Sequence, residues 1–505
     1  MIALLARPAP EETAVRRSLL PPVVLLSVLA MTACGVRVDD SLRQQAAAAQ
    51  LGGGGSGGAV SADGTPLVGE DGEPLTGDAG TGDAGTGTTG STGSAGSGGS
   101  TGSAGSGSTG STGSGGAGAP APAGGNGGAT DVGVTETQIT IGTVADLSGP
   151  VPGLFQGAVI GTQAYVAKIN SEGGVFGRKL KVAVGDGQLD CGQNRAQHAA
   201  LSKKVFAFVG SFSLNDNCGT EAIAGKGIPD VHNALTQQSL RDKTNFSVQP
   251  LPPGWRTGPL QYFKKKFPDR WTKIGSIYAN VGGASATWLK GTKPAIESTG
   301  GKILYERGFG PTDTDFTADI VRMRNDGVQL IYISASDAPT FARIVKAAKQ
   351  QNVDWPIIAG GIAYDEGFLK QVGADGEGVL GDQVYSQFFN ADDASAIPAV
   401  KEFQTWTGRV APGKKRDLFA AFGWGSAQLF VEALKKAGPK ADRKTLLSEL
   451  AKITKFDASG LLAPSNPAGK QPPTCYVLNM VKGGKWVRVD TPPSAYRCDG
   501  TFFRS

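Results

Sequence analysis

From residue 138 onward, short apolar runs rich in β-branched residues alternate with stretches of helical period. The first such unit is QITIGTVADLSGPVPGLFQGAVIGTQAYVAKINSEGGVFGRKLKVAVGD. It holds an extended run over 139–144, a small-residue helix, a glycine-dense turn and a second extended run over 180–184. That is a βαβ unit, whose right-handed crossover predicts a parallel sheet. The pattern then recurs. A helical stretch over 194–204 leads to VFAFV at 205–209, which ends in Gly210-Ser211-Phe212-Ser213. Another over 220–226 leads to IPDV at 228–231, which ends in His232-Asn233-Ala234.

A proline-rich break over 250–259 precedes a second series, with strands over 274–279, 302–307, 330–333, 357–359 and 379–385. Between them lie helices over 284–298, from 312 onward with Phe316, Ile320 and Met323 on one face, and one carrying Phe341, Ile344, Val345 and Ala348 at i, i+3, i+4 and i+7. Two doubly wound α/β lobes are the predicted fold. Ligands of open parallel sheets bind beyond the carboxyl ends of adjacent strands, which makes Ser211, Ser213 and Asn233 candidate contacts. Serines after strands also cap helices. Phe155, Trp255 and Trp424 are candidates for an aromatic wall. Asp313 and Asp315 lack the loop glycine and terminal glutamate of a calcium loop and are expected to cap a helix.

Composition changes the picture before residue 131. The segment 51–130 is almost entirely Gly, Ser, Thr, Ala, Pro and Asp, without Lys, Arg or aromatic residues, and cannot bury enough apolar surface to offset its conformational entropy. It is a tether. Its six acids leave the remaining body near about +10, although the whole chain of 505 residues carries +5. No basic stripe interleaved with aromatics accompanies that charge, so nucleic acid is not an expected partner. Two motif matches in the tether, the dinucleotide-like run from Gly85 to Gly90 and the nucleophile-elbow match at 98–102, lie between no strand and helix and are compositional.

The first 33 residues read as a signal peptide. Arg16 and Arg17 precede a short apolar run over 19–30, and Met31-Thr32-Ala33 precedes Cys34. This resembles a bacterial lipoprotein signal, with Cys34 as the lipid anchor. Roughly 95 flexible residues would then give the body about 50–60 Å of reach from the membrane. Setting Cys34 aside, Cys191, Cys218, Cys475 and Cys498 form an even set suited to an oxidising compartment. Three pairings are open; the sequence-local one closes loops of about 25 residues. No CxxC pair occurs and only two histidines exist, so no metal site is expected. Neither a P-loop, an HExxH, nor a GxSxG outside the tether is present, and the chain is not expected to be an enzyme.

The runs IGTVADLSGP, AYVAKINSEGGVFGRKLKV, VFAFVGSFS, GGKILYERGFGPTDTDFTADIVRMRNDGVQLIYIS and WPIIAGG, with the glycines at 157 and 161, resemble in order the extracellular substrate-binding proteins of the Leu/Ile/Val-binding family. These are the type I periplasmic binding proteins. The resemblance covers about residues 138–438 and implies two α/β lobes joined by a three-crossover hinge that close on a small molecule. The implied partner is an ABC transporter permease, or a receptor, in a sensory or cell-wall interaction role. No cofactor is implied, and the expected form is a monomer, lipid-anchored on the extracellular face of the bacterial membrane. Carried over by position, the implied ligand contacts are Ser211, Ser213, Asn233 and Ala234 in the first lobe and, in the second, Tyr278 with Tyr364 or Asp365, for an amino acid or a related amide or carboxylate. The chain departs from the family pattern at Phe246-Ser247 and Trp424-Gly425-Ser426. The expected division is a signal peptide (1–33), a tether (34–130), lobe one (131–254 and 388–452) and lobe two (255–387). A disulfide-pinned C-terminal segment (453–505), with a strand-turn-strand pattern around Gly483-Gly484, is expected on lobe two or on the hinge.

Overall fold

The computed structural model describes residues 125–251, 254–280, 285, 288–310, 312–334, 337–385, 391–414, 416–489 and 496–504. The expected signal peptide, Cys34 and the tether through residue 124 lie outside the described residues.

Both series fold as α/β layers. The first sheet contains β1 (Gln138–Ala145), β2 (Lys179–Asp186), β3 (Ala207–Val209) and β4 (Asp230–Val231), in the order β2-β1-β3-β4 with every pair parallel. β5 (Trp255–Arg256) stands apart and pairs with a C-terminal strand described below. The second sheet takes β6 (Ile274–Ala279), β7 (Ile303–Phe309), β8 (Leu330–Ser334), β9 (Ile357–Ala359) and β10 (Leu380–Gln383), all parallel, in the order β7-β6-β8-β9-β10. Strand β8, Leu-Ile-Tyr-Ile-Ser, is buried at every position, which is why it reads as a continuous apolar run rather than an alternation. Two C-terminal strands, β11 (Val477–Lys482) and β12 (Lys485–Arg488), extend this sheet antiparallel beyond β10. They are joined through Gly483 and Gly484, both at positive φ, as a tight hairpin demands. β13 (Phe502–Phe503) closes a two-stranded ribbon with β5.

Helices α1 (Gln156–Ser171), α2 (Cys191–Leu201), α3 (Asp216–Ile223) and α4 (Gln237–Arg241) follow the first strands. α5 (Gly258–Lys266), α6 (Lys293–Ser298), α7 (Thr317–Asn325), α8 (Ala338–Gln350) and α9 (Glu366–Val372) belong to the second series. The chain then continues through α10 (Ala391–Ala396), α11 (Pro398–Val410), α12 (Leu418–Ala437) and α13 (Arg443–Leu450), with α11 and α12 packed on α1 of the first lobe. The glycine at 161 has a packing reason: a Cβ there would collide with the Ala420 carbonyl, and one at Gly423 with the Ala158 carbonyl, whereas at Gly157 it would meet the Asp417 side chain. Gly161 and Gly423 therefore mark a close helix contact, in which backbone meets backbone.

Residues 125–130, expected in the tether, join the first lobe. Arg178 is buried and donates to the carbonyls of Thr135, Asn126, Gly128 and Pro439 at 2.6–2.8 Å, with no carboxylate among these acceptors. Arg178, after the glycine-dense turn, thus holds residues 126–128 against the first lobe. Both sequence-local disulfides are present, Cys191–Cys218 (Cα–Cα 5.5 Å) and Cys475–Cys498 (4.0 Å).

Asp313 and Asp315 do not cap α7, whose preceding residue is Phe316. Asp313 accepts from Arg307 Nη2 and Gly310 N, both at 2.9 Å, and Asp315 accepts from Thr317 N at 2.8 Å, so the pair orders the loop before the helix.

Candidate functional site

Three chain segments connect the sheets, and they are laced together. Ser465 Oγ donates to the Val248 carbonyl at 2.7 Å, and Gln249 Nε2 donates to the Ala463 carbonyl at 3.0 Å. On the other side Ala463 N donates to the Val384 carbonyl at 2.7 Å, and Leu462 bridges Tyr385. The segment around 462–465 is the middle strand of a three-strand hinge. The C-terminal segment therefore serves both places left open by the sequence: it supplies this middle connector and then two strands of the second sheet.

In each sheet the strand order reverses at one point, between β1 and β3 and between β6 and β8, and the crevice of such a sheet opens beyond the strand ends there. The loop after β1 is pinned by carboxylates. Asp186 accepts from Leu147 N (3.0 Å) and Ser148 Oγ (2.6 Å); Asp146 accepts from Ser213 Oγ (3.0 Å), Leu214 N and Leu189 N (both 3.1 Å). Burial raises the Asp146 carboxyl above its usual range, and these donors only partly oppose it. The loop after β4 is held by His232, whose Nδ1 lies 2.7 Å from Asp230 Oδ1 and whose Nε2 lies 3.6 Å from Asp216 Oδ2. Burial alone would lower the imidazole; the two carboxylates reverse this and push it up to about 10.

Most of the predicted contacts are engaged within the fold. Ser211 Oγ accepts from Val144 N at 3.0 Å, tying β3 to β1. Ser213 Oγ donates to Asp146 and accepts from Asn215 N. Asn233 Oδ1 accepts from Gln249 N at 3.0 Å, and Ala234 N donates to Ser247 Oγ at 3.1 Å. In the second lobe Tyr278 stacks on Trp288 with ring centroids 5.5 Å apart. Asp365 caps α9 through Phe368 N at 3.0 Å. Tyr364 is buried between Tyr385 and Trp486, at 5.8 Å from each.

Phe155 belongs to an aromatic cluster that sequence reasoning largely missed. Its ring lies 4.8 Å from both Phe212 and Phe419, Phe212 stacks on Phe422 at 6.3 Å, and Phe422 meets Tyr385 edge-on at 6.3 Å. The cluster thus runs from lobe one to the hinge. Trp424 points elsewhere, into the first-lobe core against Tyr165 and Phe403. Trp255 packs with the cluster around Leu260 and Phe263 on the second sheet. A signal for the missed rings was present: Phe212 stands in a loop of small polar residues, and Phe419 and Phe422 are spaced i, i+3. Among the described residues no group of three or more His, Cys, Asp or Glu side chains could hold a metal ion.

Comparison with known proteins agrees with this architecture. Residues 138–485 match the model of the family described as periplasmic binding protein. The chain is 22% identical over 327 residues to the Leu/Ile/Val-binding protein BraC3 of Rhizobium johnstonii, covering 63% of this chain and 84% of that protein. Among solved structures it is similar to a fatty acid ABC transporter substrate-binding protein from Thermomonospora curvata (TM-score 0.59, 22% identity, 75% of this chain and 97% of that one). It is also similar to a branched chain amino acid ABC transporter from Thermus thermophilus with bound valine (TM-score 0.59, 16% identity, 70% and 96%). With two parallel-sheet lobes, a three-strand hinge and a family match over most of its length, the chain belongs to the periplasmic binding protein family, in its type I form.

Proposed function

We propose that this protein is a solute receptor outside the cytoplasm that closes its two lobes on a small organic molecule and presents it to an ABC transporter permease. The observation that carries the reading is the hinge of three laced connectors between two ligand-type crevices, an arrangement suited to rigid-body closure. Ligand binding then shifts the population toward a closed state whose outer face the permease recognises. The relatives' names, which include Leu/Ile/Val and fatty acid binding, support a small amino acid, amide or carboxylate as the solute. The same reading assigns no catalysis to the chain.

Export and attachment belong to the proposal too. Two disulfides suit an oxidising compartment. Cys34 is the lipid anchor and the Gly/Ser/Thr-rich segment the tether. No helix among the described residues is long and apolar enough to cross a membrane. A sensory receptor on the same fold is the competing role, differing in partner rather than in crevice.

A thermal-shift screen of the purified chain with amino acids, amides, organic acids and sugars tests the reading. A solute at 100 times its dissociation constant stabilises by about 2.7 kcal/mol. A raised melting temperature is expected for at least one class. Turnover of a substrate without any stabilising solute would overturn the proposal.

A further inference from the structure

The C-terminal tail builds a groove on the second lobe that the solute crevice does not use. Residues 496–504 lie beyond the family match, which ends at 485, yet the tail is fixed at many points. Cys498 is bonded to Cys475, Arg497 and Tyr476 exchange backbone hydrogen bonds at 2.8 and 2.9 Å, and the Thr501 carbonyl accepts from Thr257 N at 2.8 Å just before β13 pairs with β5. Two glycines allow the close approach. A Cβ at Gly500 would run into the Thr474 carbonyl, and one at Gly258 would lie 2.5 Å from the Tyr476 ring. Between the tail and α5 this leaves an open groove of about 580 Å³. That is the size of an ordinary small-ligand site, and its walls are ordered before any ligand arrives.

The lining disfavours an apolar ligand. No aliphatic residue, phenylalanine or tryptophan faces the groove; beside Gly258 its walls are two tyrosines, two threonines, Gln261 and four charged residues. Asp499, the one acid, already accepts from the Tyr476 hydroxyl at 2.8 Å and from Arg497 Nη2 at 3.4 Å. Arg497 in turn lies over the Tyr262 ring, 5.7 Å from its centroid. The two lysines are left over: among the described residues no carboxylate stands within ion-pair reach of Lys265 or Lys266. Gln261 and Lys265 share one face of α5 at i, i+4, and neither the Gln261 amide nor the Tyr262 hydroxyl makes a hydrogen bond to the described residues.

The ligand class follows from these groups. Unmatched cations attract an acid through charge-assisted hydrogen bonds. Amide and hydroxyl groups, which both donate and accept, match a ligand rich in hydroxyls. An alkyl chain, or a peptide anchored by apolar side chains, would find no pocket here.

We propose that this groove binds a short stretch of acidic polysaccharide, whose sugar units bear carboxylate or phosphate groups. The acid lies on Lys265 and Lys266, and the sugar hydroxyls pair with Gln261 and Tyr262. The site is separate from the crevice loops, goes beyond the solute-receptor reading and does not depend on it.

Calorimetry on the full chain tests it with tetragalacturonate, maltotetraose carrying a terminal phosphate, neutral maltotetraose, oligoglutamate and oligothymidylate. At least one acidic sugar is expected to bind, and the tighter of the two identifies the acid group. Neutral maltotetraose should bind at least about tenfold more weakly, as the loss of two charge contacts implies. Lys265→Glu, at an exposed helix position, should weaken the acidic sugar by about fivefold or more, and rising salt should weaken it too. Tyr262→Phe keeps the ring and should also weaken it, with the melting temperature unchanged. Equal affinity for neutral maltotetraose overturns the acidic class. Oligoglutamate or oligothymidylate binding as tightly as the acidic sugars overturns the sugar class and leaves only a basic surface. Unchanged affinity in Lys265→Glu overturns the location, and no binding of either acidic sugar overturns the proposal as a whole. None of these results bears on the solute-receptor reading, which is tested at the crevice.

Discussion

Arg416 Nη2 lies 3.0 Å from Glu366 Oε1, and this pair joins the residue two before α12 of the first lobe to the first residue of α9 in the second. Both side chains are about a third exposed, at 31% and 35%. The pair connects an element packed on the first lobe to one in the second, so a closing motion that brings these elements together is expected to retain it and an opening motion to weaken it. Exposed pairs of this kind contribute roughly 0.2–1 kcal/mol. Arg416→Gln or Glu366→Gln should therefore weaken solute affinity by up to about fivefold, and the double variant should lose little more than either alone. Rising salt should shrink the difference. Additive losses in the double variant would show that the pair does not couple the lobes.

Ser213 is engaged on both sides, donating to Asp146 and accepting from Asn215 N. Ser213→Ala removes one of the few donors to a buried carboxylate that burial already pushes up. Denaturant unfolding should show a loss of about 1–3 kcal/mol. Solute affinity should change little, because both hydrogen-bonding sides of the hydroxyl are taken within the lobe. A large affinity loss at full stability would instead make Ser213 a direct contact.

The Ser213–Asp146 contact shows how far the sequence was legible. Buried parallel strands such as β8 announce themselves as apolar runs, and helices such as α8 by their periodic face, so both α/β series could be read directly. Whether a hydroxyl after a strand faces a ligand or a neighbouring carboxylate depends on contacts 67 residues away in the chain, as between Ser213 and Asp146, and no local pattern encodes that. The same holds for β11, whose hairpin is local but whose pairing with β10 bridges about a hundred residues. No local pattern could give Arg178 its role, because its four carbonyl acceptors come from three separate stretches of chain.

Glycine substitutions separate packing from conformational freedom. At Gly161 a Cβ would run into the Ala420 carbonyl where α1 meets α12, and neither backbone can yield without parting the helices. Gly161→Ala should destabilise by about 1–3 kcal/mol, despite the better helix propensity of alanine. Gly408, exposed in α11, has nothing within 4 Å of an added Cβ. Gly408→Ala should stabilise by about 0.5–1 kcal/mol. Equal effects at the two sites would remove the close-packing account of α1 and α12.

His232 makes stability depend on alkaline pH. Its folded value is raised to about 10 by Asp230 and Asp216, against the opposing effect of burial, whereas an unfolded histidine titrates near about 6.5. Because the folded value is the higher one, the contribution of the charged imidazole is complete below about pH 6.5 and is lost as pH rises toward about 10. Within that window the slope approaches about 1.4 kcal/mol per pH unit. His232→Gln keeps a hydrogen-bonding side chain without the charge. Its deficit relative to the natural protein should be largest at pH 6 and shrink steadily to pH 10 in denaturant titrations. A deficit constant across that range would mean that the imidazole is neutral between its two carboxylates.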